Sequence, residues 1–178
     1  ISAAFADYAS AGYDVVIGHG YEFGDPALEV AETYPATKFI CTESDASSDN
    51  VASYVMACEQ TAYVEGIIAA SMTKSDKLGA IGPIQGDSLV KIVNGYEDGA
   101  KSVNPDIEVQ TAWTNSFVDT QLAQEAAKAM IENGVDVIKH CANACGNGAI
   151  AAAVDADIWC QVDIWLQEDI RPQVKSEA

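Results

Sequence analysis

The sequence predicts an α/β fold in which parallel strands are covered by helices. Short apolar runs alternate with helical patterns along the chain, which is typical of repeated strand–helix units. A second observation is that a polar stretch follows each apolar run. Because strand–helix–strand crossovers are right-handed, the strands become parallel, and α/β proteins bind ligands at the carboxyl ends of such strands.

The individual elements follow from these patterns in chain order. The opening stretch "ISAAFADYASAG" is typical of the last turns of a helix that ends at Gly12. Because a helix at residue 1 leads directly into a strand, we expect the chain to be incomplete at its start. The predicted strands cover residues 13–18, 37–42, 77–83, 107–113, 135–140 and 158–163. The predicted helices cover residues 25–34, 55–73, 87–102, 119–133 and 146–156.

Two predicted helices have features of their own. Asp119 precedes "TQLAQEAAKAMIENG" and is predicted to cap that helix, because Asp accepts hydrogen bonds from the first free amides. The helix within "ACEQTAYVEGIIAASMTKSDK" is apolar around much of its circumference. Because Glu59, Glu65 and Lys74 interrupt that surface, a buried crossover helix is favoured over a membrane span.

Composition limits the classes of partner. The 178 residues are 49% hydrophobic, enough for a sizeable core, and carry 27 acids against 9 bases for a net charge of −18. No basic run occurs, so nucleic acid and an anionic membrane surface are poor partners. A neutral or cationic small molecule is the expected ligand, although the acidity is also typical of a surface adapted for solubility.

Cysteine and histidine spacing indicates neither a metal site nor a catalytic set. Cys41 and Cys160 fall inside predicted strands and Cys58 on a predicted helix, where a thiol behaves as a small buried hydrophobe. Cys141 and Cys145 stand near His140, but this CxxxC spacing lacks a second ligand pair for zinc. No GxSxG or GxxxxGK[ST] motif is present. We therefore expect no cofactor, no metal and no catalysed reaction.

One glycine-rich turn leaves an alternative open. "DVVIGHGYEFGDPALEVA" runs from an apolar strand through Gly18, Gly20 and Gly24 into a helix, as a dinucleotide-binding turn does. Its spacing is GxGxxxG rather than GxGxxG. Asp25 before Pro26 is a favoured pair for the cap and first turn of a helix, and its carboxylate would repel a phosphate. A doubly wound nucleotide-cofactor enzyme is therefore the alternative hypothesis.

Four motifs in order carry a resemblance to a known family. NVASY, AYVEGIIAASMTKS, NGYEDGAKSVNP and ENGVDVI occur within residues 5 to 163. In this combination the chain resembles the basic membrane protein family. Members of this family are substrate-binding lipoproteins of ABC transporters, and the better-known members bind purine nucleosides or bases. The resemblance implies a type I periplasmic-binding-protein fold, with two doubly wound parallel-sheet lobes around a ligand cleft that closes by a hinge.

The resemblance also implies domain boundaries. Lobe one would cover residues 1–83 without its first strand and helix, and residues 84–87 would form the interlobe crossover. Lobe two would cover residues 88–163, and residues 164–178 would begin a return crossover, so the chain would be incomplete at both ends. Under this resemblance the protein would be anchored at the cell surface or in the periplasm by a lipid outside this chain, and would deliver its ligand to an ABC permease.

Candidate ligand-binding residues follow from the same resemblance. The cleft asparagine of the family falls on Asn50, whose amide can donate to and accept from a base, or could instead cap the next helix. The sugar-binding aspartate falls on Asp163, and the family aromatic on Lys139 or His140. The remaining candidates are the loop glycine Gly146, the crossover residues Gln85 and Asp87, and Tyr21. A ligand-sensing receptor or regulator domain on the same fold is a further alternative, because one fold can serve different functions.

Overall fold

A computed structural model describes residues 1–162 of the chain and confirms the alternation of strands and helices. The helices are α1 (Ser2–Ser10), α2 (Gly24–Thr33), α3 (Cys58–Met72), α4 (Asp87–Val103), α5 (Thr120–Glu132) and α6 (Asn147–Asp155). The strands are β1 (Val15–His19), β2 (Lys38–Thr42), β3 (Val51–Tyr54), β4 (Lys77–Gly82), β5 (Glu108–Trp113), β6 (Val137–His140) and β7 (Trp159–Val162). Short 3₁₀ helices cover Tyr21–Phe23 and Asn143–Gly146.

The chain divides into two compact units, the first of which is Ile1–Cys58. Its three strands pair in parallel in the order β1-β2-β3. One face of this sheet packs against α1 and α2 around the tilted aromatic contacts of Phe5 with Phe23 and Phe39. Burial along β1 alternates strictly, with Val16 and Gly18 inside, because successive side chains of a strand point to opposite faces.

The second unit begins at Glu59, and its parallel sheet has the order β5-β4-β6-β7. Residues of β6, α5 and α6, among them Ile138, Ala127 and Ala149, form the core on one face of this sheet. Every residue of the central strand β6 is buried, as expected for a parallel strand covered on both faces. Asp119 caps α5 as predicted, because its carboxylate accepts a hydrogen bond from the Gln121 amide at 3.0 Å.

Helices α3 and α4 pack backbone against backbone. A Cβ atom at Gly99 would overlap the carbonyl oxygen of Tyr63, and one at Gly66 would overlap that of Tyr96. A Cβ at Gly95 would lie 2.5 Å from the Glu59 carbonyl oxygen. The absent side chains therefore allow the two helices to approach this closely. Within residues 1–162, no helix is long and apolar enough to cross a membrane.

The structure differs from the predicted lobe boundary at residue 83. The strand predicted at 77–83 is β4, which pairs with β5 and β6, and the chain divides after Cys58. The physical reason is that α3 leads into β4, whose partners on both sides come later in the chain. Strand β3 was also absent from the predicted elements; in the structure residues 51–54 pair with β2 in the first sheet.

The predicted start of α2 was also wrong. We expected Asp25 to cap the helix with Pro26 as its first residue. Instead the 3₁₀ helix Tyr21–Phe23 runs directly into α2, which begins at Gly24 and has no side-chain cap. Asp25 therefore lies inside the first turn, where an acid is still favourable for the helix dipole.

Candidate functional site

The carboxyl edge of the first sheet ends in one row of polar and aromatic side chains. His19, Thr42 and Tyr54 are register partners, and each is the last residue of its strand. The His19 Nδ1 atom lies 2.5 Å from the Thr42 hydroxyl oxygen. Tyr54 is 59% exposed. The row therefore offers an imidazole, a hydroxyl and an accessible aromatic ring on one face of the sheet.

The turns after this row hold the backbone in uncommon conformations. Gly20 has φ of 132° and Glu43 has φ of 56°, values that favour glycine and are uncommon for other residues. The Glu43 carboxylate accepts a hydrogen bond from the Met56 amide at 3.4 Å. Tyr21, a predicted ligand contact, follows Gly20 and is exposed. The structure therefore places Tyr21 at this carboxyl edge.

The glycines of the first turn serve internal packing. A Cβ at Gly18 would lie 2.7 Å from atoms of Phe23 and Phe5, and one at Gly24 would overlap the Ser44 hydroxyl. The space beside these two glycines is thus occupied by side chains of the protein. A dinucleotide-binding turn needs such glycines so that its backbone can approach the pyrophosphate, so this packing does not favour the nucleotide-cofactor hypothesis.

Asn50 lies away from the carboxyl edge. It immediately precedes β3, and therefore stands at the amino end of the first sheet. Its amide nitrogen donates to the carbonyl oxygens of Ala31, Tyr34 and Thr37 at 3.1 to 3.2 Å. Asn50 thus satisfies carbonyl groups at the end of α2 and in the following turn, a structural role that differs from both roles considered in the sequence. As a ligand contact it stays a prediction without support from this placement.

The carboxyl edge of the second sheet gathers residues that follow β5, β4 and β6. These three strands are neighbours, so the residues after them meet at the same edge. The ring of Trp113, the last residue of β5, lies over Gly82, its register partner on β4. Gln85 and Asp87 follow β4 and are exposed, Asp87 being the first residue of α4.

Two loops at this edge are tied together by hydrogen bonds. The Cys145 thiol donates to the Asp119 carbonyl oxygen at 2.9 Å, and the Cys145 amide donates to Phe117 at 3.0 Å. The Ser116 hydroxyl oxygen accepts from the Asp119 amide at 2.9 Å. The loop after β5 and the 3₁₀ helix after β6 therefore form a fixed surface at the end of the sheet.

His140 ends β6 and is buried beneath this surface. Only 1% of its surface is exposed, and neither ring nitrogen has a hydrogen-bond partner among residues 1–162. Burial, with a smaller contribution from the Lys139 charge, lowers the pKa of His140 from 6.5 to about 4. A Cβ at Gly146 would overlap the imidazole, so the space that the sequence assigned to an approaching ligand is filled by the His140 ring.

Four of the predicted residues lie at the ends of two neighbouring strands of the second sheet: Gln85 and Asp87 follow β4, His140 ends β6, and Gly146 follows it in contact with His140. The structure places Tyr21 at the first edge and Asn50 at neither, while Asp163 lies outside the described residues. Sequence reasoning missed His19, Tyr54 and Trp113. The available signal for Trp113 was an aromatic residue at the end of a predicted strand. The same signal could not identify Tyr54, because β3 had not been predicted.

The cysteines lie where the sequence placed them. Cys41 is on β2, Cys160 on β7 and Cys58 begins α3, and Cys41 and Cys58 are buried. Burial raises the pKa of the Cys41 thiol, and raises that of Cys160 to about 12. Both thiols are therefore protonated at neutral pH and behave as apolar groups. Among residues 1–162, no three His, Cys, Asp or Glu side chains are placed to hold a metal ion.

Sequence comparison assigns the family. The model of the family described as Bmp, ABC transporter substrate-binding protein PnrA-like, matches residues 1–165, and the chain belongs to this family. A purine-binding protein of Brucella abortus is 36% identical over 130 residues, which are 73% of this chain and 37% of that protein. The nucleoside-binding protein BmpA of Lactococcus lactis is 35% identical over 143 residues, 80% of this chain and 41% of its own. The chain thus spans less than half the length of these curated relatives.

Solved structures agree with the fold. An ABC-transporter solute-binding protein of Aeropyrum pernix matches with a TM-score of 0.78 and 26% identity, over 88% of this chain and 46% of that protein. A transcriptional activator of the comK gene from Bacillus halodurans matches with a TM-score of 0.73 and 22% identity, over 89% and 54% of the two chains. The α/β fold of periplasmic solute-binding proteins is therefore confirmed.

Proposed function

We propose that the protein is the extracytoplasmic solute-binding component of an ABC importer and that its ligand is a purine nucleoside or a related nucleobase compound. The family match over residues 1–165 carries the proposal. The two relatives named purine-binding and nucleoside-binding support the ligand class. On this proposal the protein catalyses no reaction, is held at the cell surface or in the periplasm by a lipid anchor outside this chain, and delivers its ligand to an ABC permease.

The residues at the carboxyl edges have the chemistry that a nucleoside needs. In the first unit the exposed ring of Tyr54 can stack on a base, and in the second unit the ring of Trp113 has the same chemistry. The Gln85 amide can donate to and accept from a base edge, and the Asp87 carboxylate can accept from ribose hydroxyls. A neutral ligand of this kind also avoids the repulsion that a chain of net charge −18 imposes on anions. Hinge closure and a ribose contact by Asp163 stay predictions from the resemblance.

The proposal is tested on the small molecule that the purified full-length protein carries. The protein is denatured, the released compound is identified by mass spectrometry, and the same compound is titrated back by calorimetry. A purine nucleoside or base that binds with one site is the expected result. A nicotinamide or flavin dinucleotide would instead favour the enzyme alternative, and a sugar would contradict the ligand class.

Two tyrosine variants test the site. Tyr54→Ala is expected to weaken binding about tenfold or more, because loss of a stacked ring costs about 1–3 kcal/mol. Tyr8→Ala is the matched control, since Tyr8 is also exposed, at 53% against 59%, but lies on α1. Equal affinities of the two variants in the same titration would remove Tyr54 from the site.

A further inference from the structure

A buried ion pair lies inside the second unit. The ammonium of Lys139, on β6, is fully buried and pairs with the carboxylate of Glu65, on α3. The Lys139 Nζ atom also lies 5.9 Å from the ring centre of Tyr96, on α4. Removing one partner from a buried pair leaves an uncompensated charge and is strongly destabilising. Each member of this pair therefore needs the other.

Glu65 is contacted from two neighbouring strands at one row of the sheet. Lys139 and Gln161 are register partners on β6 and β7, so both point to the same face. The Gln161 side-chain nitrogen donates to the Glu65 carbonyl oxygen at 3.3 Å. On its other side Lys139 pairs with Ala80 of β4, whose small side chain leaves room for the long lysine. This row of the sheet therefore accommodates the Lys139 side chain, with the Glu65 carboxylate of α3 as its ion-pair partner.

The opposite face of β6 carries the candidate ligand residue. Because side chains alternate along a strand, His140 points away from the face that holds Lys139. Ile138 shares the face of His140 and packs in the core of α5 and α6, while the His140 ring lies against Gly146. A shift of the end of β6 that released Lys139 from its row would therefore also displace His140 from its place beside Gly146.

We propose that Glu65 is a positioning residue of the ligand-binding edge: by pairing with Lys139 on the face of α3 and α4, it fixes His140 on the opposite face of β6 against Gly146. Lysine side chains otherwise extend toward water. Without the Glu65 charge, the Lys139 ammonium would have to leave this buried row to reach water, which requires the end of β6 to shift and exposes His140. The inference rests on the proposed function, because His140 has this role only if the second edge binds the ligand.

Glu65→Gln tests the inference because it keeps the shape of the side chain and removes its charge. The probe is the imidazole ¹⁵N signal of His140 at about pH 5.5, where an exposed histidine is mostly protonated. His19 is the other histidine of these 178 residues, and a His19→Asn variant assigns the signals. We expect a neutral imidazole in the wild type, a largely protonated one in Glu65→Gln, and a neutral one again in the double variant Glu65→Gln with Lys139→Met.

The double variant separates charge pairing from a purely structural effect of Glu65. If Glu65→Gln unfolds and the double variant folds with a neutral His140, Glu65 serves overall stability rather than the position of His140, and the inference is overturned. Equal exposure of His140, or equal unfolding, in the single and double variants would overturn it, as would a neutral His140 in Glu65→Gln. Glu97→Gln is the matched control, because it removes the acid of the partly exposed pair with Lys101.

These measurements need no ligand, so their outcome is separate from that of the proposed function. Failure of the wild type to bind a purine compound would contradict the proposed ligand and leave the His140 result intact. Where the wild type binds, Glu65→Gln is expected to lose about tenfold or more in affinity.

Discussion

At the scale of single residues, His140 makes stability depend on pH. Its pKa is lowered from 6.5 to about 4 in the folded protein because burial disfavours the charged ring. Below pH 6.5 the unfolded chain binds a proton that the folded protein binds only near pH 4. The free energy of unfolding should therefore fall by up to about 3 kcal/mol as pH decreases through this interval.

The measurement is urea unfolding of the wild type and of His140→Leu from pH 7 to pH 4. Carboxylates titrate in the same range and affect both proteins, so the difference between the two curves isolates the histidine. We expect this difference to favour His140→Leu increasingly toward low pH. Parallel curves would show that His140 is protonated equally in the folded and unfolded states.

The location of a candidate site residue could be predicted from sequence only where its position relative to a strand determined that location. Gln85 and Asp87 follow the apolar run that became β4, and His140 ends the run that became β6, so their location at a carboxyl edge could be inferred from alternation alone. Asn50 follows no strand, and its partners Ala31, Tyr34 and Thr37 are determined by how α2 ends. The occupation of the space beside Gly146 by the His140 ring is a side-chain packing result that no spacing indicates.

At the scale of elements, the contact between α3 and α4 reverses the usual effect of glycine. Replacing a helix-interior glycine by alanine normally stabilises by about 1 kcal/mol. At Gly99 of α4, a Cβ would overlap the Tyr63 carbonyl oxygen of α3, and backbone cannot move aside as a side chain can. We expect Gly99→Ala to destabilise the protein by about 1–3 kcal/mol, the usual cost of overpacking.

Asn94→Ala is the control for helix propensity, because Asn94 is exposed on the same helix. Thermal or denaturant unfolding should show a neutral or slightly positive change for Asn94→Ala and a loss for Gly99→Ala. A gain of stability in both variants would mean that the two helices can separate at little cost.

The elements themselves were largely predictable because period and turn signals agree along most of the chain. The predicted helix at 87–102 and the observed α4 at Asp87–Val103 differ by one residue at one end. Strand β3 was not predicted because its four residues give too short a pattern, and three of them are not buried. The boundary at residue 83 differed for another reason: the partners of β4 come later in the chain, and local sequence does not encode which sheet a strand joins.

At the scale of the whole molecule, the charge of the chain opposes its own folding. The 178 residues carry 27 acids and 9 bases, and like charges repel most in the compact state. Among residues 1–162, ion pairs join lysines to only three of these acids: Glu65, Glu97 and Glu108. Salt shortens the range of the repulsion from about 10 Å at 0.1 M to about 3 Å at 1 M. Stability should therefore rise with ionic strength, in contrast to a protein held together by surface ion pairs.

Thermal unfolding at neutral pH between low salt and about 0.5 M sodium chloride measures this effect, and we expect the midpoint to increase over that range. Sucrose at equal osmolarity is the control. It is excluded from the protein surface but carries no charge, so it separates the effect of solute exclusion from that of screening. Replacing exposed acids such as Glu32 and Glu132 by Gln should raise the midpoint at low salt and reduce its salt dependence. A midpoint that falls with sodium chloride would mean that attractive pairs outweigh the net repulsion, and the excess of acids would then serve solubility alone.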